Sequence, residues 1–155
     1  MNANTRTTRE CSFDSLRPEM LAAIREQMEL YKIGNIESNI LICCETTSIQ
    51  KKNGLFGGSE KVITGALLTS EWLILAVERG NEKPAVISGH LRNLQAQNFE
   101  DTAMFKISPD SGLNITGRYS DVTKQGIAFI GLGPELAAQK FRQIFQEAVR
   151  KQANA

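Results

Sequence analysis

Residues able to do covalent or metal chemistry are few in this chain. There is one histidine, His90, and there are three cysteines, Cys11, Cys43 and Cys44. A Ser-His-Asp or Cys-His nucleophilic site would have to use His90, and no second histidine remains for a metal cluster. His90 stands in the turn-like run SGHLRN and reads as a surface or turn residue. The cysteines are an odd, unpatterned set. The adjacent Cys43 and Cys44 would point to opposite faces of a strand and could not hold one ion together, so all three read as reduced, buried thiols. Acidic pairs such as Glu100-Asp101 fall beside turns and leave general acid–base catalysis without a partner. The expectation is a chain that is not an enzyme, with no catalytic, cofactor or metal residues.

Two glycine-bearing stretches invite a phosphate-binding reading. IGLGPEL, Ile130 to Leu136, offers a strand, Gly-x-Gly and then a helix, as a dinucleotide-binding turn would. Leu136 occupies the place of the third glycine, Pro134 removes an N–H that would face a phosphate, and Glu135 would repel one, so a strand-to-helix corner is expected. KKNGLFGGSEK, Lys51 to Lys61, lacks the Gly-Lys-Ser/Thr ending of a nucleotide P-loop. As a hairpin loop it presents Leu55 and Phe56 at an apolar tip flanked by Lys51, Lys52 and Lys61. Such a tip could touch an anionic bilayer, fold back onto its own scaffold or pack on a neighbouring subunit. Asn114-Ile115-Thr116 matches a glycosylation acceptor, a triplet too common to carry weight.

Size and charge bound the partners. The 155 residues suit one domain with a sizeable core. Eighteen basic against 17 acidic residues give a formal charge of +1, which argues against a nucleic-acid binder. The start, MNANTRTTRECSF, has no apolar stretch of a secretory kind, and no run is long enough to cross a bilayer; a cytoplasmic location is the expectation.

The elements that must position these residues begin with a flexible tail over residues 1–12. A helical extension over 13–34 follows, capped by Asp14 or Ser15, with Pro18 in the first turn. Met20, Leu21, Ile24, Met28 and Tyr31 form its apolar stripe, and Gly34-Asn35 ends it. β-branched and apolar runs then predict three strands at NILICCETTSI, KVITGALLT and WLILAVE, the last two joined by a tight turn at Thr69-Ser70-Glu71. Weaker strands follow at 84–88, 93–100, 113–119 and 126–132. The chain closes on GPELAAQKFRQIFQEAVRKQ, an amphipathic helix with Pro134 at its first position and a stripe of Ala137, Phe141, Ile144, Phe145 and Ala148.

In this order of elements the chain resembles the bacterial pleckstrin-homology-like domains, most closely at Leu67-Leu68-Thr69 and Trp72-Leu73-Ile74, over about residues 36–152. The resemblance implies a mainly β fold: a PH-like barrel of about seven antiparallel strands, closed by the C-terminal α-helix, with the N-terminal α-helix as an addition. It also implies a non-catalytic interaction or scaffold module that binds a protein partner or forms a homo-oligomer. The alternative is peripheral binding to anionic lipid headgroups through the 51–61 loop, with Lys51, Lys52 and Lys61 in the family's basic positions. The second strand, from Val62 to Leu68, carries no charge. Loops at 51–61, 78–83 and 119–126 would gather six cations and four carboxylates, a local excess of +2 that salt would screen readily.

Overall fold

The computed structural model describes residues 5–51, 57–121 and 124–155. Among these residues eight antiparallel strands form two sheets. The five-stranded sheet is a meander of β1 (Thr5–Glu10), β2 (Ile40–Lys51), β3 (Ser59–Thr69), β4 (Trp72–Arg79) and β5 (Ala85–His90) in sequence order. The three-stranded sheet holds β6 (Leu94–Asn98), β7 (Gly112–Gly117) and β8 (Gly126–Gly131). The described residues also form the helices α1 (Pro18–Leu30), the single turn α2 (Met104–Ile107) and α3 (Leu136–Ala153).

The seven strands expected from β-branched runs are present, and an eighth precedes them. Residues 5–10, expected to be part of a loose tail, form β1 along the edge of β2, from Thr5 opposite Ile49 to Glu10 opposite Cys44. TRTTRE contains no apolar residue, so its order comes from ladder hydrogen bonds to β2 and from the buried Thr8. Among the described residues no ladder joins the sheets, so this is two packed sheets rather than one closed sheet of seven strands.

Layering explains the residue pattern of the five-stranded sheet. β3 is buried at almost every position from Val62 to Thr69, as a strand covered on both faces must be. One face meets α1, where Met20, Ile24, Leu16 and Phe13 pack on Cys43, Ile63, Leu67, Ile74 and Ala76. The other face meets α3 and the three-stranded sheet, with Cys44, Leu68 and Leu75 against Leu113, Ile115, Phe141 and Phe145. Cys43 and Cys44 point to opposite faces, as period-two geometry requires. In the β3–β4 turn, Thr69 Oγ1 accepts the N–H groups of Glu71 and Trp72.

The helices differ from expectation in detail. α1 starts at Pro18 behind Arg17, after a short 3-10 turn at Phe13–Ser15, so neither Asp14 nor Ser15 caps it. It buries Met20, Ala23, Ile24 and Gln27. Its place on the sheet is keyed by polar contacts: Gln27 Nε2 donates to Ser88 Oγ at 2.9 Å, Ser88 Oγ donates to Ser120 Oγ, and Arg17 Nε pairs with the buried Glu78 at 2.8 Å. The first helix therefore covers its own sheet. α3 begins behind Glu135, with Pro134 outside the helix, and buries Ala138 in place of Ala137, then Phe141, Phe145 and Ala148. The two phenylalanines are fully buried and stacked, with ring centroids 6.0 Å apart. Each contributes roughly 1.5–3 kcal/mol of burial.

Side chains close the seam between β1 and the second sheet. Glu135 Oε1 accepts the Thr8 N–H at 2.8 Å, Gly133 N–H donates to Thr8 Oγ1, and that hydroxyl also meets Thr46 Oγ1 at 2.8 Å. Arg6 pairs with both oxygens of Asp110 and donates to Ser48 Oγ at 3.2 Å. A Cβ on Gly133 would strike the Glu135 carboxylate and come within 2.8 Å of the Arg6 carbonyl. The second glycine of IGLGPEL thus serves the close approach of β1.

Candidate functional site

The outer face of the three-stranded sheet is the one sheet face that no described helix covers. Alternation along β6, β7 and β8 turns Leu94, Leu113, Ile115 and Ile130 inward, and Gln95, Gln97, Asn114, Thr116, Ile127 and Phe129 outward. Register sets Asn114 opposite Phe129 and Thr116 opposite Ile127. Ile127 is 70% exposed and Phe129 39%. A lone exposed apolar residue is ordinary, but these two are neighbours on one strand and belong to a longer series.

Phe129 connects that strand to the segment before β7. Its ring stands edge-on to Phe99 at 5.2 Å, and Phe99 in turn meets Phe105 at 6.5 Å. Phe105 belongs to α2, whose Met104 and Ile107 are 52% and 80% exposed. The Arg6 guanidinium lies 5.3 Å from the Phe129 ring centre and braces it from the seam side. Gly112, at φ +151°, lets β8 come close: a Cβ there would strike the Ile130 carbonyl and sit 2.9 Å from Phe129 Cε2.

Glu100 fastens the Phe99–Asp101 turn to the sheet. One carboxylate oxygen accepts the Gly112 N–H at 3.0 Å, and the other pairs with Arg142 of α3 at 2.9 Å. Burial pushes the Glu100 pKa up, but the Gly112 N–H and the Arg142 guanidinium outweigh it and hold the group below the ordinary carboxylate value. Glu100 thus has a structural employment, which its neighbours in sequence did not reveal.

The loop singled out in the sequence is described only at its margins. Lys51 ends β2 opposite Ser59, and Lys61 is exposed on β3, where its carbonyl accepts the Gly80 N–H at 3.3 Å. Lys52, Leu55 and Phe56 lie outside the described residues. Two charges expected at that end are engaged with the first helix: Lys83 pairs with Glu26 at 3.6 Å and Glu78 with Arg17.

Other chemistry-bearing residues are accounted for locally. His90 ends β5, packs edge-on against Trp72 at 5.2 Å and accepts the Arg92 N–H on Nδ1. Burial, then the Arg92 charge, lower its pKa from the ordinary value. Cys44 faces the core, where burial pushes its thiol up to about 12. Cys11 follows β1 and meets Cys43, with the two Sγ atoms 3.6 Å apart. Among the described residues no group of three His, Cys, Asp or Glu side chains could hold a metal ion, and no helix is long and apolar enough to cross a membrane.

Sequence reasoning missed the Ile127–Phe129 face. Its signal, the alternation in GIAFIG, was obscured because apolar residues occupy both faces of β8. No family model matches this chain, and no curated protein or solved structure matches it.

Proposed function

We propose that this chain is a non-catalytic interaction module, in which β2 to β8 and α3 form a pleckstrin-homology-like scaffold and β1 with α1 are additions to it. The module docks a protein partner, or a second copy of itself, on the outer face of β6, β7 and β8. The observation that carries this reading is the unequal covering of the two sheets: the outer face of the smaller one carries Ile127 and Phe129, with Met104 and Ile107 on the adjoining turn. Gln95, Gln97, Asn114 and Thr116 share that face and offer the hydrogen-bonding rim that stable interfaces place around an apolar centre. Engagement of Glu78, Glu100 and His90 in structural contacts favours binding over catalysis.

Sedimentation equilibrium and affinity capture with the full chain and with Ile127→Glu test this reading. The native chain is expected to self-associate or retain a partner at micromolar concentration, and the variant, still folded, to lose that association. Monomeric behaviour of both, with nothing captured by either, would overturn it. Contact with anionic headgroups near Lys61 is the alternative reading, supported by the exposure of Lys61 on β3.

A further inference from the structure

Cys11 and Cys43 are far apart in sequence and directly opposed in space. The Cys11 N–H donates to the Cys43 carbonyl at 2.9 Å, extending the β1–β2 ladder by one residue beyond Glu10 and Cys44. Hydrogen-bonded antiparallel neighbours have Cα atoms about 5.5 Å apart, inside the span of roughly 4.4–6.8 Å that a disulfide bridges. The sulfur atoms stand 3.6 Å apart, so side-chain rotation alone would have to close the remaining gap.

The two thiols are unequal. Cys43 is 2% exposed beneath α1, whereas Cys11 is only partly buried, so an oxidant reaches Cys11 first. Arg9, on the same side of β1, stands beside Cys11, and Glu45 is the nearby carboxylate. The hydrogen bond from Cys43 lowers the Cys11 pKa, burial opposes this, and Arg9 adds to the lowering while Glu45 works against it. Cys43 is pushed strongly up by its hydrogen bond to Cys11 and by burial. Cys44 faces the other side of β2 and reaches the Ala137 carbonyl instead.

We propose that Cys11 and Cys43 form a reversible dithiol–disulfide site, with Cys11 as the attacking thiol, Cys43 as the resolving thiol and a hydroperoxide as the oxidant. Cys11 as thiolate attacks the peroxide: an S–O bond forms, the O–O bond breaks, and hydroxide or alkoxide leaves. Cys43 sulfur then attacks the Cys11 sulfenic acid, an S–S bond forms, the S–O bond breaks, and the departing hydroxide takes the Cys43 proton as water. Two electrons pass from the thiols to the peroxide, and a dithiol reductant returns them. The bond ties the segment leading into α1 to β2 of the sheet that α1 covers.

Peroxide treatment of the full chain, followed by denaturation, alkylation and intact mass measurement, tests this. The expected product is a monomer lighter by two hydrogens with one alkylatable cysteine, which peptide mapping places at Cys44. Cys44→Ala is expected to oxidise like the native chain. Cys11→Ser is expected to form no bridge, and Cys43→Ala to stop at a Cys11 sulfenic acid that dimedone traps. The bridged form should melt higher by about 5–10 °C, from the loop it closes. Three alkylatable thiols after peroxide, a bridge to Cys44 or between chains, or unchanged oxidation of Cys11→Ser would each overturn the proposal; these readouts on the native chain and Cys11→Ser stand even if the Cys43 variant fails to fold.

Discussion

The two sheets are built on one strand grammar and finished differently. The five-stranded sheet is covered on both faces, by α1 on one side and α3 with the smaller sheet on the other, so β3 is nearly continuous in its burial. The three-stranded sheet gives α3 and the core its inner face and leaves Gln95, Gln97, Asn114, Thr116, Ile127 and Phe129 outside. α1 has thus covered one face of the larger sheet, and among the described residues no helix does the same for the outer face of the smaller one.

The strongest way to break this comparison is to truncate both sides of it. Phe145→Ala, in the fully buried layer, is expected to cost about 3–5 kcal/mol in urea unfolding. Ile127→Ser should stay within about 0.5 kcal/mol while weakening association; an equally large stability loss would show that the face is not solvent-facing. Next comes the seam between the sheets, where Asp110→Asn, by cutting the paired contact to Arg6, is expected to cost about 1.5–3 kcal/mol. Gln27→Ala, which leaves the buried Ser88 hydroxyl one partner short under α1, should cost about 1–3 kcal/mol and raise hydrogen exchange in α1 before it does so in α3.

Acid should act at the two ends of β6, at His90 before it and Glu100 after it. His90 and Glu100 both have folded pKa values below their ordinary ones, so each contributes stability that is present above its unfolded value, 6.5 and 4.5 respectively, and is lost as pH falls through the folded value. Melting temperature measured against pH should therefore decline on acidification, and His90→Gln should flatten the upper part of the decline and Glu100→Gln the lower part. The smallest effect concerns the hairpin end of the larger sheet. Replacing Lys51 and Lys52 by Ala should change low-salt binding to anionic vesicles by at most about 1 kcal/mol per lysine; a larger loss would move the contact surface from the outer face of β6, β7 and β8 to that hairpin.

Much of this scaffold could be read in advance, for physical reasons. Runs such as KVITGALLT and WLILAVE are too apolar and β-branched to be anything but covered strands, and the spacing of Phe141 and Phe145 marks α3. β1 was illegible because TRTTRE owes its strand conformation to a partner edge that is distant in sequence. The outer face of β8 was illegible because Ile127 and Phe129 alternate with Ala128 and Ile130, so apolarity alone does not say which side meets water. The opposed thiols were hidden for the same reason as β1: Cys11 and Cys43 are 32 positions apart, and only the ladder brings them together.

The seam at β1 joins distant parts of the chain. Thr8 and Glu135 are 127 positions apart, and Lys140 reaches back to Glu10 across 130. Neighbouring hairpins β2–β3, β3–β4 and β4–β5 need no such closure and can assemble early, whereas contacts of this span come late because a long loop must first be ordered. On a ribosome, residues 5–10 emerge before anything they must lock onto at the far end of the chain, and their final fastening waits until the start of α3 has been made.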